Sequence, residues 1–147
     1  MNRTTIGALT TFVLAAILLA VTPLHAADRM QPGKWQKQMM SGGRTSTSTM
    51  CVTPEKAASV NGDTKSARAA ALKAMKAMKA SERCVINAYD VSGDTVSYSM
   101  VCQGTRIEST TTYHGGIDYV GTMKTTDEGE THTMGLKGHR LGSCGAK

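Results

Sequence analysis

The stretch CVINAYDVSGDTVSYSMVC, Cys84 to Cys102, decides the fold. Apolar and polar residues alternate on either side of Ser92-Gly93-Asp94: Ile86 and Ala88 before it, Val96, Tyr98 and Met100 after it. A period of two marks strands, and a central glycine supplies the positive φ that a tight hairpin loop needs. Pairing Val91 with Thr95 across a three-residue loop sets Ala88 against Tyr98, Ile86 against Met100 and Cys84 against Cys102, all on one face. The apolar pattern and the cysteines agree on that register independently. The reading therefore predicts a Cys84–Cys102 disulfide, which leaves Cys51 to pair with Cys144. No two cysteines lie close enough to make a zinc half-site.

Outward from this hairpin, strands recur between turn residues. Lys34 to Met40 reads as a first strand and Arg44 to Val52, rich in β-branched threonine, as a second, with Ser41-Gly42-Gly43 between them. Thr105 to Tyr113 and Ile117 to Thr125 come after the hairpin, joined through His114-Gly115-Gly116. A last strand runs from Glu130 to about Arg140 after Asp127-Glu128-Gly129. The fold class is mainly β: an antiparallel meander of about seven strands, forming a small calycin-like barrel or a curled sheet.

One helical insertion, about residues 53–81, separates the second and third strands. Thr53-Pro54-Glu55 has the cap, the proline and the early acid of a helix start, and Asn61-Gly62 interrupts that helix. Asp63 to Ser81 is alanine- and lysine-rich and reads as a second helical stretch. Its cations Lys65, Arg68, Lys73, Lys76 and Lys79 gather on one side, and Ala67, Ala70, Ala71, Met75 and Met78 on the other.

The start of the chain reads as an export leader. Arg3 supplies the positive start, Ile6 to Val21 the apolar run, and Pro23-Leu24-His25-Ala26 the exit, which predicts cleavage after Ala26 and a single exported domain over 27–147. An oxidising compartment suits four cysteines paired as two disulfides. The one phenylalanine, Phe12, leaves with the leader, so the exported chain keeps Trp35, Tyr89, Tyr98, Tyr113 and Tyr119 as its aromatic side chains. The formal net charge of the whole chain is +6. The basic helix offers a weak contact with an anionic membrane surface through Lys65, Lys73, Lys76 and Lys79. Nucleic acid is not an expected partner outside the cytoplasm.

Gly33-x-Trp35 at the first strand and Arg140 near the end of the last resemble the lipocalin-type arrangement, in which an arginine from the closing strand packs on a first-strand tryptophan. Trp35 and Arg140 are thus candidates for barrel closure. A wider resemblance rests on Pro32-Gly33-x-Trp35, Cys51-x-Thr53-Pro54-Glu55, Cys84, Val91-Ser92-Gly93-Asp94-Thr95-Val96, Met100-x-Cys102, Gly121-Thr122-Met123 and Gly138-x-Arg140-Leu141-Gly142-x-Cys144. In this order they resemble the small exported bacterial proteins of domain of unknown function 3617. The resemblance implies a periplasmic or secreted location and carries over no catalytic residue.

Chemistry-bearing patterns are sparse. Methionine is plentiful, ten in the chain, and soft thioethers select Cu(I), which makes Met123, His132 and Met134 the copper candidates. Methionine also fills irregular cores, and a core without phenylalanine needs such filling. No nucleophile elbow, zinc-protease motif or phosphate loop is present. The expectation is a non-enzymatic exported protein, without cofactor, that binds a small apolar or amphiphilic ligand. The alternative is an envelope interaction module using the basic helix 63–81, with copper binding a third reading.

Overall fold

The computed structural model describes residues 28–76, 79 and 84–145. The leader expected at 1–26, Met78 and the expected end of the basic helix at Ser81 lie outside the described residues.

Seven strands and two helices run in the order β1 (Gly33–Ser41), β2 (Arg44–Val52), α1 (Pro54–Asn61), α2 (Thr64–Lys76), β3 (Cys84–Ser92), β4 (Thr95–Cys102), β5 (Thr105–His114), β6 (Asp118–Asp127) and β7 (Glu130–Gly142). They form one antiparallel sheet in the order β2-β1-β7-β6-β5-β4-β3. Strands β3 to β7 are a meander, and the β1–β2 hairpin attaches along β7. The sheet does not close: β2 and β3 are its two edges, and α1 with α2 carries the chain from one to the other. Of the two expected forms, the curled sheet is the one adopted.

Both disulfides pair as the hairpin register predicts, Cys84 with Cys102 and Cys51 with Cys144. The Cα atoms of Cys84 and Cys102 are 4.2 Å apart, the close spacing of a non-hydrogen-bonded pair. The rest of that register needs correction. Ile86 faces Met100 as expected, but Ala88 faces Ser99, Tyr89 faces Tyr98 and Ser92 faces Thr95. The loop is the two residues Gly93-Asp94, and Asn87 is an extra residue in a bulge. A bulge switches which alternate residues share a face, so Tyr89 joins Ile86 on the side of Tyr98 and Met100.

The helices start where their caps indicate. The Thr53 hydroxyl accepts from the Lys56 N–H, and Pro54 opens α1. The Asp63 carboxylate accepts from the Ser66 N–H at 2.7 Å, and its bonds to Ser66 hold its pKa below the ordinary value. Along α2 the buried residue is Ala67, while Lys65, Arg68, Lys73 and Lys76 lie toward solvent. Thr64 at the head of α2 exchanges hydrogen bonds with the N–H and C=O of Val91. It thereby satisfies part of the free edge of β3, a row of backbone groups that invites pairing with another chain.

The core gathers at one end of the sheet, around Met30, Trp35, Val52 and Ala57, with Met50, Val60, Tyr113 and Tyr119 packed against them. The segment before β1 is fastened there residue by residue. Arg29 donates to the carbonyls of Gly93, Val60 and Gly62. Met30 exchanges two hydrogen bonds with the Asn61 side chain. Gln31 donates its N–H to Gly116 and accepts from the Trp35 indole.

Trp35 and Arg140 are paired across β1 and β7. The Arg140 Nε donates to the Pro32 carbonyl at 2.9 Å, and its guanidinium lies against Gly33, where an added Cβ would come within 2.9 Å of Nε. The ring stacked on the Trp35 indole is Tyr119, with centroids 5.7 Å apart. The pair ties the first strand to the last within an open sheet. Arg140→Ala is expected to cost about 1.5–2 kcal/mol, the low end of what a hydrogen bond from a charged donor is worth, because this one lies at the surface. A thermal melt within a degree of wild type would show that the contact contributes nothing.

Candidate functional site: an aromatic cleft lined by every strand

The curl of the sheet makes a cleft of about 380 Å³ to which all seven strands and α1 contribute. The alternation of strand side chains decides who enters it. On β1, Trp35 and Lys37 face inward; on β5, Ser109, Thr111 and Tyr113 do. The bulge at Asn87 is what brings Tyr89 to this face, where it stacks on Tyr98 with centroids 6.1 Å apart. Across the cleft Trp35, Tyr119 and Tyr113 form a second run, with successive centroids 5.7 Å apart. All five aromatic side chains that follow Phe12 in the sequence therefore line one cleft.

Gly138 makes room for this arrangement. A Cβ on it would collide with the Tyr119 ring, at the carbon that bears the hydroxyl and its neighbour, so any side chain there would drive the tyrosine off the sheet. The rest of the wall is apolar, Met30, Met50, Val52, Val60, Val96 and Leu136, apart from Lys56 of α1. Such sites are mostly apolar with a few placed polar groups, and here the polar groups are distinctive. Among the described residues, no hydrogen bond engages the hydroxyl of Tyr89, Tyr98, Tyr113 or Tyr119.

Burial raises the pKa of Tyr113 strongly, with the neighbouring Tyr119 adding to it. Burial also raises Tyr119 and, helped by Tyr98, Tyr89. A phenol whose pKa is higher folded than unfolded stabilises the fold fully below the unfolded value, about 10, and loses that contribution as pH climbs through the folded value. Stability should thus fall between about pH 10 and pH 12, and Tyr113→Phe should lessen the fall. Urea midpoints across that range decide it; an equal fall in the variant would clear Tyr113 of the effect.

The copper candidates are partly gathered. Met123 and Met134 are directly opposite on β6 and β7, and His132 stands two residues along β7 from Met134, opposite Thr125. The His132 imidazole is mostly exposed and lies 3.9 Å from the Glu130 carboxylate. No cluster of three or more His, Cys, Asp or Glu side chains suited to a metal occurs among the described residues. His139 Nδ1 and Asp118 are 2.6 Å apart on the opposite face of the sheet. All four cysteines are in disulfides. The cations of α2, Lys65, Arg68, Lys73 and Lys76, together with Lys79, make no ion pair among the described residues. No helix among those residues is long and apolar enough to cross a membrane.

Sequence reasoning cast Trp35 and Arg140 as barrel closure, whereas the sheet is open and the two are cross-strand neighbours on β1 and β7; it missed the cleft. Face parity was the available signal, and it required the bulge at Asn87 to be known. Comparison with known proteins matches the chain to the family described as protein of unknown function (DUF3617), over residues 30–144. No curated protein and no solved structure matches the chain. The matched span runs from the core residue Met30 through the last cysteine, and the chain belongs to the DUF3617 family.

Proposed function

We propose that this protein is an exported, non-enzymatic binding module that takes a small apolar or amphiphilic molecule into the aromatic cleft. The observation that carries the reading is the convergence of five aromatic side chains, from five different strands, on one open cleft with four unengaged hydroxyls. A sheet this poor in aromatics, built only for packing, would bury them in its core. Here Tyr89, Tyr98, Tyr113 and Tyr119 remain partly exposed. Aromatic faces offer large contact area, and tyrosine adds a polar handle. The leader and the two disulfides support export to an oxidising compartment.

The test is native mass spectrometry of untagged protein from the periplasm, prepared without chelator or detergent. A reproducible extra mass supports the reading, and its value separates an organic ligand from a copper ion held near Met123, His132 and Met134. A bare mass, together with no change in Trp35 fluorescence on adding alkyl amphiphiles, would overturn it.

The unpaired cations of α2 favour one second reading, an envelope interaction surface on that helix. Neutralising Lys65, Lys73, Lys76 and Lys79 with glutamine separates the two, because the helix itself must stay to cover β3. Loss of sedimentation with anionic vesicles, with amphiphile binding retained, would assign membrane contact to the helix.

A further inference from the structure

The electrostatics of the cleft are one-sided. Lys37 and Lys56 line it, and no aspartate or glutamate does. Lys37 sits on the inner face of β1, half-buried, opposite Gly138 on β7 and Ser48 on β2. Neither lysine has an ion pair or a side-chain hydrogen bond among the described residues. Arg29, outside the lining but bonded to the carbonyl of the wall residue Val60, is only 8 % exposed, and its three acceptors are all neutral carbonyls. Its positive charge reaches the cleft wall, where it opposes the rise in pKa of Tyr89 and Tyr113. Burial of a cation without a carboxylate partner is costly, and two lysines on the wall with Arg29 behind it, none in an ion pair among the described residues, favour an anion there.

We propose that the occupant of this cleft is a single-chain amphiphile with an anionic headgroup, its apolar chain against the aromatic wall and its charge beside Lys37 and Lys56. This rests on the cleft being the binding site, as proposed above. The volume of about 380 Å³ is near the lower limit of small-molecule sites, about 300–1,000 Å³, which suits one chain and not two. The phenol hydroxyls of the wall can donate to the same headgroup, and a lysine stem of four methylenes packs on the apolar body while its ammonium stays at the mouth.

The experiment compares decanoate, decanol and decyltrimethylammonium, each below its micelle concentration, by calorimetry and Trp35 fluorescence on the full exported chain. Chain length is constant, so differences report the headgroup. Decanoate is expected to bind about three- to tenfold more tightly than decanol, and the cation more weakly than either, in line with partly exposed ion pairs. The preference should shrink as salt is raised. Lys37→Gln with Lys56→Gln should bring the ratio of decanoate to decanol affinity down to about one, whatever the shorter stems cost both ligands alike; both lysines reach solvent, so the double variant keeps the fold. Equal binding of all three, or tighter binding of the cation, would overturn the headgroup assignment while the cleft reading stands. A preference that survives in the double variant would overturn the role of these lysines. Failure of all three to bind would overturn both readings. A long-chain carboxylate that outcompetes a lysophospholipid in the same assay would identify a free carboxylate, not a lipid phosphate, as the source of the charge.

Discussion

Replacing Cys51 and Cys144 together by serine is expected to lower stability by about 4–5 kcal/mol and the melting temperature by roughly 20 °C. The bond closes a sequence separation of 93 residues, so both helices and β3 to β7 lie inside the loop, and the unfolded ensemble loses most when it is tied. The folded state adds a reason. Cys51 lies near the end of β2, an edge strand whose residues Arg44 to Thr49 are all exposed. Its anchorage in the core is Val52, with Met50 packed beside it. Cys144 comes just after β7, with β1 lying between the two strands, so the bridge pins the free edge across its neighbour. Without it β2 should fray first, which amide exchange would show as protection lost in 44–52 before the rest. The Cys84–Cys102 bond, closing a separation of 18, should cost less, about 3 kcal/mol. A double serine variant at 51 and 144 that melted within a few degrees of wild type would mean that the β1–β2 hairpin holds by its own pairing.

The strands were legible because turn residues separate most of them, and β2 runs over the span read from its threonines. The cysteine pairing was legible for a different reason: a disulfide and an apolar alternation had to satisfy one register. That register was wrong beyond Ile86 because a bulge leaves no glycine or proline to mark it. Asn87 is a poor strand former, but one asparagine does not announce a bulge, and only the pairing of Ser92 with Thr95 reveals the extra position. The choice between barrel and open sheet was not legible at all. It depends on whether β2 meets β3, and no local pattern in either strand encodes the distance across two helices.

The cleft shows the same limit. Trp35, Tyr113 and Tyr119 stand on strands far apart in sequence, and their convergence depends on β1 pairing with β7. Gly138, whose missing side chain seats Tyr119, sits mid-strand, where glycine is ordinarily a weakness. Its reason is visible only with the ring above it.

Arg29 was the least legible residue and should be among the most costly to change. It lies in a short lead-in with no periodicity, yet its guanidinium bonds the β3–β4 loop at Gly93 and the end of α1 at Val60 and Gly62. That helix has no basic residue of its own in its last turn, so Arg29 supplies the charge that its carbonyl end favours. Arg29→Met keeps much of the buried stem and removes three hydrogen bonds from a charged donor. The expected loss is about 3–5 kcal/mol, because carbonyls left without partners add to the bonds removed. Arg29→Lys should recover only part of it, since one ammonium cannot span acceptors that a planar fork reaches together. Urea unfolding measures both, and a methionine variant less than about 1 kcal/mol weaker would show that water takes over at all three carbonyls. The position also bears on maturation: cleavage after Ala26 would leave Arg29 near a new terminus while keeping it and its neighbours Met30 and Gln31 intact. A chain trimmed to begin at Gly33 would lose that whole anchorage, and with it the packing of Met30 that completes the floor of the cleft.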